Sequence, residues 1–98
     1  MDIVYGYIEL LLPHSTSLKE KRKIIQSIIS RIRNRYNISI SEVKYHNLWQ
    51  RTVIGFTAVS TDKVSADKIT MYIENTLYLF VAEVDVKEFQ YEILSCDV

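Results

Sequence analysis

Residues 3–12 read Ile-Val-Tyr-Gly-Tyr-Ile-Glu-Leu-Leu-Leu, and alternation splits them into two sets with apolar or aromatic character on both sides. Val4, Ile8, Leu10 and Leu12 fall on one face; Ile3, Tyr5, Tyr7, Glu9 and Leu11 fall on the other. An edge strand or a solvated hairpin tolerates one wet face. A segment like this one belongs in the middle of a sheet, between two hydrogen-bonded neighbours. Pro13 then ends the strand, because it has no N–H to give to a ladder.

The rest of the chain has to supply the neighbours and the cover, with few places to turn. One proline and two glycines punctuate 98 residues, so the elements are long and the loops short. Ser17 fits a helix N-cap, and Glu20 three residues on completes a capping box. Leu18, Ile25, Ile28, Ile29, Ile32 and Tyr36 recur at helical spacing as a buried stripe. Lys19, Arg22, Lys23, Gln26, Ser30 and Arg33 fall on the opposite side. Residues 38–45 and 51–60 read as two β-rich runs joined near His46-Asn47, close enough to form an antiparallel hairpin. Asp62 caps a second helix that runs to about Phe80, with Val64, Ile69, Ile73, Leu77 and Phe80 toward the core. Residues 84–94 form a last strand whose alternation breaks near Glu88, where a bulge or bend is expected.

The order β, α, β, β, α, β with right-handed crossovers gives one α+β domain over residues 1–98. It is a ferredoxin-like sandwich, with a four-stranded antiparallel sheet and two helices on one face. The other face is left with Ile3, Tyr5 and Tyr7 and one side of the hairpin, where Phe56 is expected beside the tyrosines. A monomer has no cover for such a face, so it is expected to meet a second copy in a homodimer, another protein or stacked bases.

Formal net charge is zero, but its distribution is uneven. Residues 1–61 hold nine Lys and Arg against four Asp and Glu; residues 62–98 hold three against eight. The first helix carries most of the excess. Lys19, Lys21, Arg22 and Lys23 crowd its first turns, where the helix dipole disfavours cations by a few tenths of a kcal/mol each. Local rules are often broken at functional sites, and free N–H groups, the hydroxyls of Ser15, Thr16 and Ser17 and these cations suit a phosphate or another anion. Lys21 lies close to the apolar stripe in phase, so its stem is expected over the core with its ammonium toward the loops. Trp49 and Arg51, in or beside the hairpin loop, are residue types enriched at binding hot spots.

Catalysis has little to stand on. His14 and His46 lack metal-ligand spacing, Cys96 lies two residues from the C-terminus, and no glycine-rich loop precedes either helix. Glu9, Glu42 and Glu92 are single carboxylates with no evident partner for acid–base work. No catalytic residue, metal or cofactor is therefore expected. The longest apolar run is far short of the ~20 residues of a membrane span. With no signal-peptide pattern and one cysteine, the expected setting is reducing and cytoplasmic.

Several blocks together carry a family likeness. Ser17-Leu18-Lys19-Glu20-Lys21-Arg22, Arg33-Asn34-Arg35-Tyr36-Asn37-Ile38-Ser39, Leu48-Trp49-Gln50-Arg51 and Ser60-Thr61-Asp62 stand in an order that resembles the YlxP-like family of small uncharacterised bacterial proteins. Residue 47, often acidic in that pattern, is Asn here. The resemblance implies a ferredoxin-like fold and a bacterial cytoplasmic protein, and it implies no established activity. Relatives are often encoded among translation and ribosome-maturation genes, which suggests a connection to RNA or the ribosome by association. The expectation is a non-enzymatic protein that binds structured RNA or a ribosomal particle. Ser17, Lys19, Lys21, Arg22, Lys23 and Arg33 would meet phosphates, with Trp49 and Arg51 alongside. The alternative is a homo-oligomeric interaction module using Ile3, Tyr5, Tyr7 and Phe56.

Overall fold

A computed structural model describes residues 1–98. It consists of β1 (Asp2–Leu11), α1 (Leu18–Arg35), β2 (Ser39–Lys44), β3 (Arg51–Ser60), α2 (Lys63–Tyr78) and β4 (Asp85–Ser95). The sheet order is β2-β3-β1-β4, all neighbours antiparallel, which is the ferredoxin-like arrangement. β1 lies in the interior of the sheet, as its two-sided character requires.

Val4, Ile8, Leu10 and Leu12 of the first segment are fully buried under the helices, and Tyr5 and Tyr7 lie on the uncovered face. Ile25, Ile28, Ile29 and Ile32 of α1 close one side of the core; Ala66, Ile69, Ile73 and Leu77 of α2 close the other. Val64 departs from the expected stripe and is 64% exposed. It sits in the first turn of α2, where Asp62 anchors the backbone and the helix has only begun to reach the sheet.

Phe56 also departs from expectation. It is buried, on the helix side of the sheet, and so cannot belong to the open-face interface. Register decides this. Phe56 pairs with Gly6 of β1, and Gly6 pairs in turn with Tyr91 of β4. With no side chain at Gly6, the Phe56 and Phe89 rings approach to 6.1 Å and Phe89 meets Tyr91 at 5.5 Å. The open face of β3 instead carries Val53, Gly55, Thr57 and Val59, opposite Glu9, Tyr7, Tyr5 and Ile3.

The bulge expected near Glu88 is present. Glu9 faces Glu88 while Leu10 faces Val86, so Lys87 is the extra residue. A second irregularity lies between Glu42 and Lys44 of β2 and brings Val43 over Gly55.

Both helices start on a side-chain cap. Ser17 Oγ accepts from the Glu20 N–H at 3.1 Å, and Asp62 Oδ1 accepts from the Ser65 N–H at 2.8 Å. The box at Ser17 is shifted by one residue, since the Glu20 carboxylate reaches back to the N–H and hydroxyl of Thr16, not to the cap residue itself. Hydrogen bonding from Ser65 holds the Asp62 carboxyl below its ordinary value, and hydrogen bonding from Thr16 does the same for Glu20. A carboxyl depressed in the folded state stabilises the fold above its unfolded pKa, and that contribution disappears as pH falls through the folded value. Urea midpoints should therefore decline between about pH 5 and pH 3. Asp62→Asn, which keeps a capping oxygen but does not titrate, should decline less steeply; parallel declines would refute the assignment.

Candidate functional site

Three segments meet at one end of the sandwich: the β1–α1 loop, the first turns of α1 and the β2–β3 loop. Lys21 holds them together. Its helical phase places it on the buried stripe, four residues before Ile25, and it is 1% exposed. The ammonium reaches Glu42 Oε2 of β2 at 2.9 Å and donates to the Tyr45 carbonyl at 2.6 Å. The same Glu42 oxygen accepts from the hydroxyl of fully buried Thr52 at 2.6 Å. The ammonium did extend toward the loops as its phase implies. It is consumed there, however, and Lys21 is removed from the set of phosphate-binding residues.

Tyr45 starts the β2–β3 loop with φ = 66°, in the left-handed region that a residue with a β-carbon enters at a cost of about 1 kcal/mol. Its surroundings hold it there. Lys21 and the Leu48 N–H both donate to its carbonyl, and the Arg51 guanidinium lies 4.2 Å from its ring centroid. Gln50 ties the far side of the loop to the β1–α1 connection. Its side-chain amide donates to the carbonyls of Pro13 at 3.3 Å and Ser15 at 3.1 Å, and its own carbonyl accepts from the Leu12 N–H at 2.9 Å. Between these ties, Leu48 and Trp49 stand 47% and 53% exposed. They line a wide, shallow hollow of about 720 Å³ with Leu11, Asn47, Gln50 and Arg51. Arg51 also pairs with Glu9 at 2.5 Å, so its charge is largely balanced within the sheet.

The remaining basic residues divide by what they touch. Lys19, Arg22 and Lys23 are exposed and enter no ion pair. They share an arc of about 100° on α1 at 100° per residue. Arg33 lies on the same side, but its guanidinium donates to the Ile40 carbonyl at 2.7 Å. There it blunts the outer edge of β2, as does His46 Nε2 at 3.2 Å from the Glu42 carbonyl. Ser17 is spent on its capping bond. The free cationic surface is therefore narrower than the sequence implied.

The open sheet face has a different character. The Tyr5 hydroxyl donates to Glu92 of β4 at 2.5 Å, which raises the Tyr5 pKa. Hydrogen bonding with Glu88 raises that of Tyr7. Glu9, Glu88 and Glu92 thus accompany Arg51 on this face, with Ile3, Val59 and Leu94 paired at one end. Sequence reasoning left Glu92 unpaired and overlooked Glu88 as a tyrosine partner. Laid antiparallel from the Asp2–Ser95 end, 85–95 matches Tyr5 with Glu92, and the Lys87 bulge shifts the register only beyond Glu9. No group of three or more His, Cys, Asp or Glu side chains is arranged to hold a metal ion. No helix is long and apolar enough to cross a membrane.

Solved structures with this fold have little sequence in common with the chain. The de novo designed protein Foldit4 aligns with a TM-score of 0.59 at 9% identity, covering 99% of this chain and all of that one. SnoaB, a cofactor-independent oxygenase from Streptomyces nogalater, aligns with a TM-score of 0.60 at 8% identity, covering 100% of this chain and 96% of that one. At such identities the likeness extends to the fold alone. Sequence comparison is more specific. The uncharacterised protein YlxP of Bacillus subtilis (strain 168) is 41% identical over 66 residues, spanning 67% of this chain and 72% of that protein. The family described as "Protein of unknown function (DUF503)" matches residues 3–91. With nearly its whole length matched, the chain belongs to DUF503, the YlxP-like family of uncharacterised bacterial proteins.

Proposed function

We propose that this protein binds structured RNA or a ribosomal particle in the cytoplasm through the exposed cations of α1, and that it acts by binding, without catalysis. The observation that carries this reading is the separation of the charges. Lys19, Arg22 and Lys23 stand together on one exposed arc of α1 with no ion-pair partner, in a chain of zero net charge whose two ion pairs engage only Lys21 and Arg51. A helix face with unpaired cations suits the regular phosphates of a duplex or a folded RNA. The carboxylates of the open sheet face repel phosphates and so favour docking by the helix side.

The test is a fluorescence-anisotropy titration of structured ribosomal RNA at low and physiological salt. Wild type should bind with an affinity that falls steeply with salt. The double variant Lys19→Glu, Arg22→Glu should bind about tenfold or more weakly across RNA sequences, with a shallower salt slope. Binding undiminished in the variant excludes this surface, and no wild-type binding at low salt excludes direct RNA recognition.

A second reading is a homodimer through the open face, using Ile3, Tyr5 and Tyr7. The Tyr5 hydroxyl already has a carboxylate partner, so covering this face would not strand it. A stable dimer without nucleic acid, by light scattering, is the expected result; a monomer at high micromolar concentration rules it out.

A further inference from the structure

Trp49 combines two properties that seldom occur together. Its side chain is more than half exposed, yet the loop that carries it is fixed from both sides by Lys21, Gln50 and the backbone bonds to Tyr45 and Leu12. The indole packs against no other aromatic ring, and no cation lies over it. A large apolar ring carried in water on a tied-down loop is the form a preorganised anchor takes, since the loop backbone has little conformational freedom left to lose on binding.

The charges around it select the occupant. Lys44, which enters no ion pair, and Arg51, which is paired with Glu9, flank the loop, both against the ring of Tyr45. Lys21, which holds the loop, turns inward from the same first turns of α1 that present Lys19 and Arg22 to solvent. A flat apolar surface bordered by cations matches a nucleotide, with the base on the ring and phosphates on the charges. We infer that Trp49 is the stacking platform for an unpaired base of the RNA whose phosphates lie on Lys19, Arg22 and Lys23. This rests on the RNA-binding reading and narrows it: the preferred partner has a bulge or loop beside a duplex. The hollow formed with Leu11 and Leu48 leaves room for one such base.

Trp49 is the only tryptophan, so its emission reports on this site alone. The probes are an RNA duplex and the same duplex interrupted by one unpaired adenosine. Wild type should bind both, more tightly when the adenosine is present, with Trp49 emission quenched by the bulged RNA. Trp49→Ala should lose about tenfold in affinity for the bulged RNA and almost nothing for the duplex. Trp49→Phe should recover part of the loss, and matching far-UV circular dichroism would show that both variants are folded. If Trp49→Ala binds bulged RNA as tightly as wild type while Lys19→Glu, Arg22→Glu does not, the stacking site is wrong and the phosphate surface stands. If wild type binds neither probe, the RNA reading fails and the inference with it. An emission shift that tracks protein concentration without RNA would assign Trp49 to a contact between copies and overturn the inference.

Discussion

Lys21→Met should lower the stability of this domain by about 3 kcal/mol, a large share of what a domain of this size has. The substitution keeps most of the stem volume and removes the ammonium. The Glu42 carboxylate is then left partly buried with only the Thr52 hydroxyl, and the Tyr45 carbonyl loses its Lys21 donor. Breaking a buried pair by deleting one member costs more than the pair was worth, because the remaining charge is uncompensated. The residual 18% exposure of Glu42 limits the loss, since water can reach it from one side. Urea denaturation of four proteins separates these contributions: wild type, Lys21→Met, Glu42→Leu and the double variant. The double variant should recover much of the Lys21→Met loss, because no buried charge remains unpaired. A single variant within about 0.5 kcal/mol of wild type would mean that the ion pair adds nothing to the packing around it.

Gly6→Ala should be comparably disruptive for a steric reason. A β-carbon at residue 6 would sit 2.8 Å from both Cα and Cβ of Tyr91 and closer still to the Gln90 carbonyl oxygen. Two of these three atoms are backbone, so no rotamer change relieves the overlap. Either β4 moves away from β1, breaking the ladder, or the rings of Phe56 and Phe89 lose their packing across the glycine. Overpacking of this kind costs about 3 kcal/mol, and separating the strands adds to it. Chemical denaturation should show the loss, and amide exchange should place the loosened bonds between residues 2–11 and 85–95. Gly55→Ala is the control. Its β-carbon would meet only the side chain of Val43, at 3.0 Å, and a side chain can shift. Equal losses at the two glycines would show that backbone approach at Gly6 is not the cause.

The elements of the fold were legible because their signals are local. Period-two alternation in residues 3–12, the helical stripe from Leu18 to Tyr36, and the caps at Ser17 and Asp62 each concern residues a few positions apart. Hydrogen bonds and burial within one element depend on little else. The Lys87 bulge was legible near Glu88 for the same reason, as a break in alternation. The candidate site was only partly legible. A basic helix face could be read from phase, and so could the oddity of Lys21.

What a given cation or aromatic ring does was decided by residues far away in sequence. Lys21 is buried because Glu42 and Tyr45 arrive beside it, more than twenty positions on. Arg33 is diverted by the edge of β2, and Arg51 by Glu9, 42 residues before it. Phe56 illustrates the limit most clearly. Its neighbours Val53, Ile54, Ala58 and Val59 are apolar on both faces, so alternation could not say which side enters the core. The pairing of Phe56 with Gly6 settled it. By itself the sequence determined which segments become strands and helices, where they begin, and that β1 lies inside the sheet. Tertiary structure alone decided which face each β3 residue takes and which charges remain free. Register and ion pairing are contacts between distant segments, and no local pattern encodes a partner that only the closed sheet brings near.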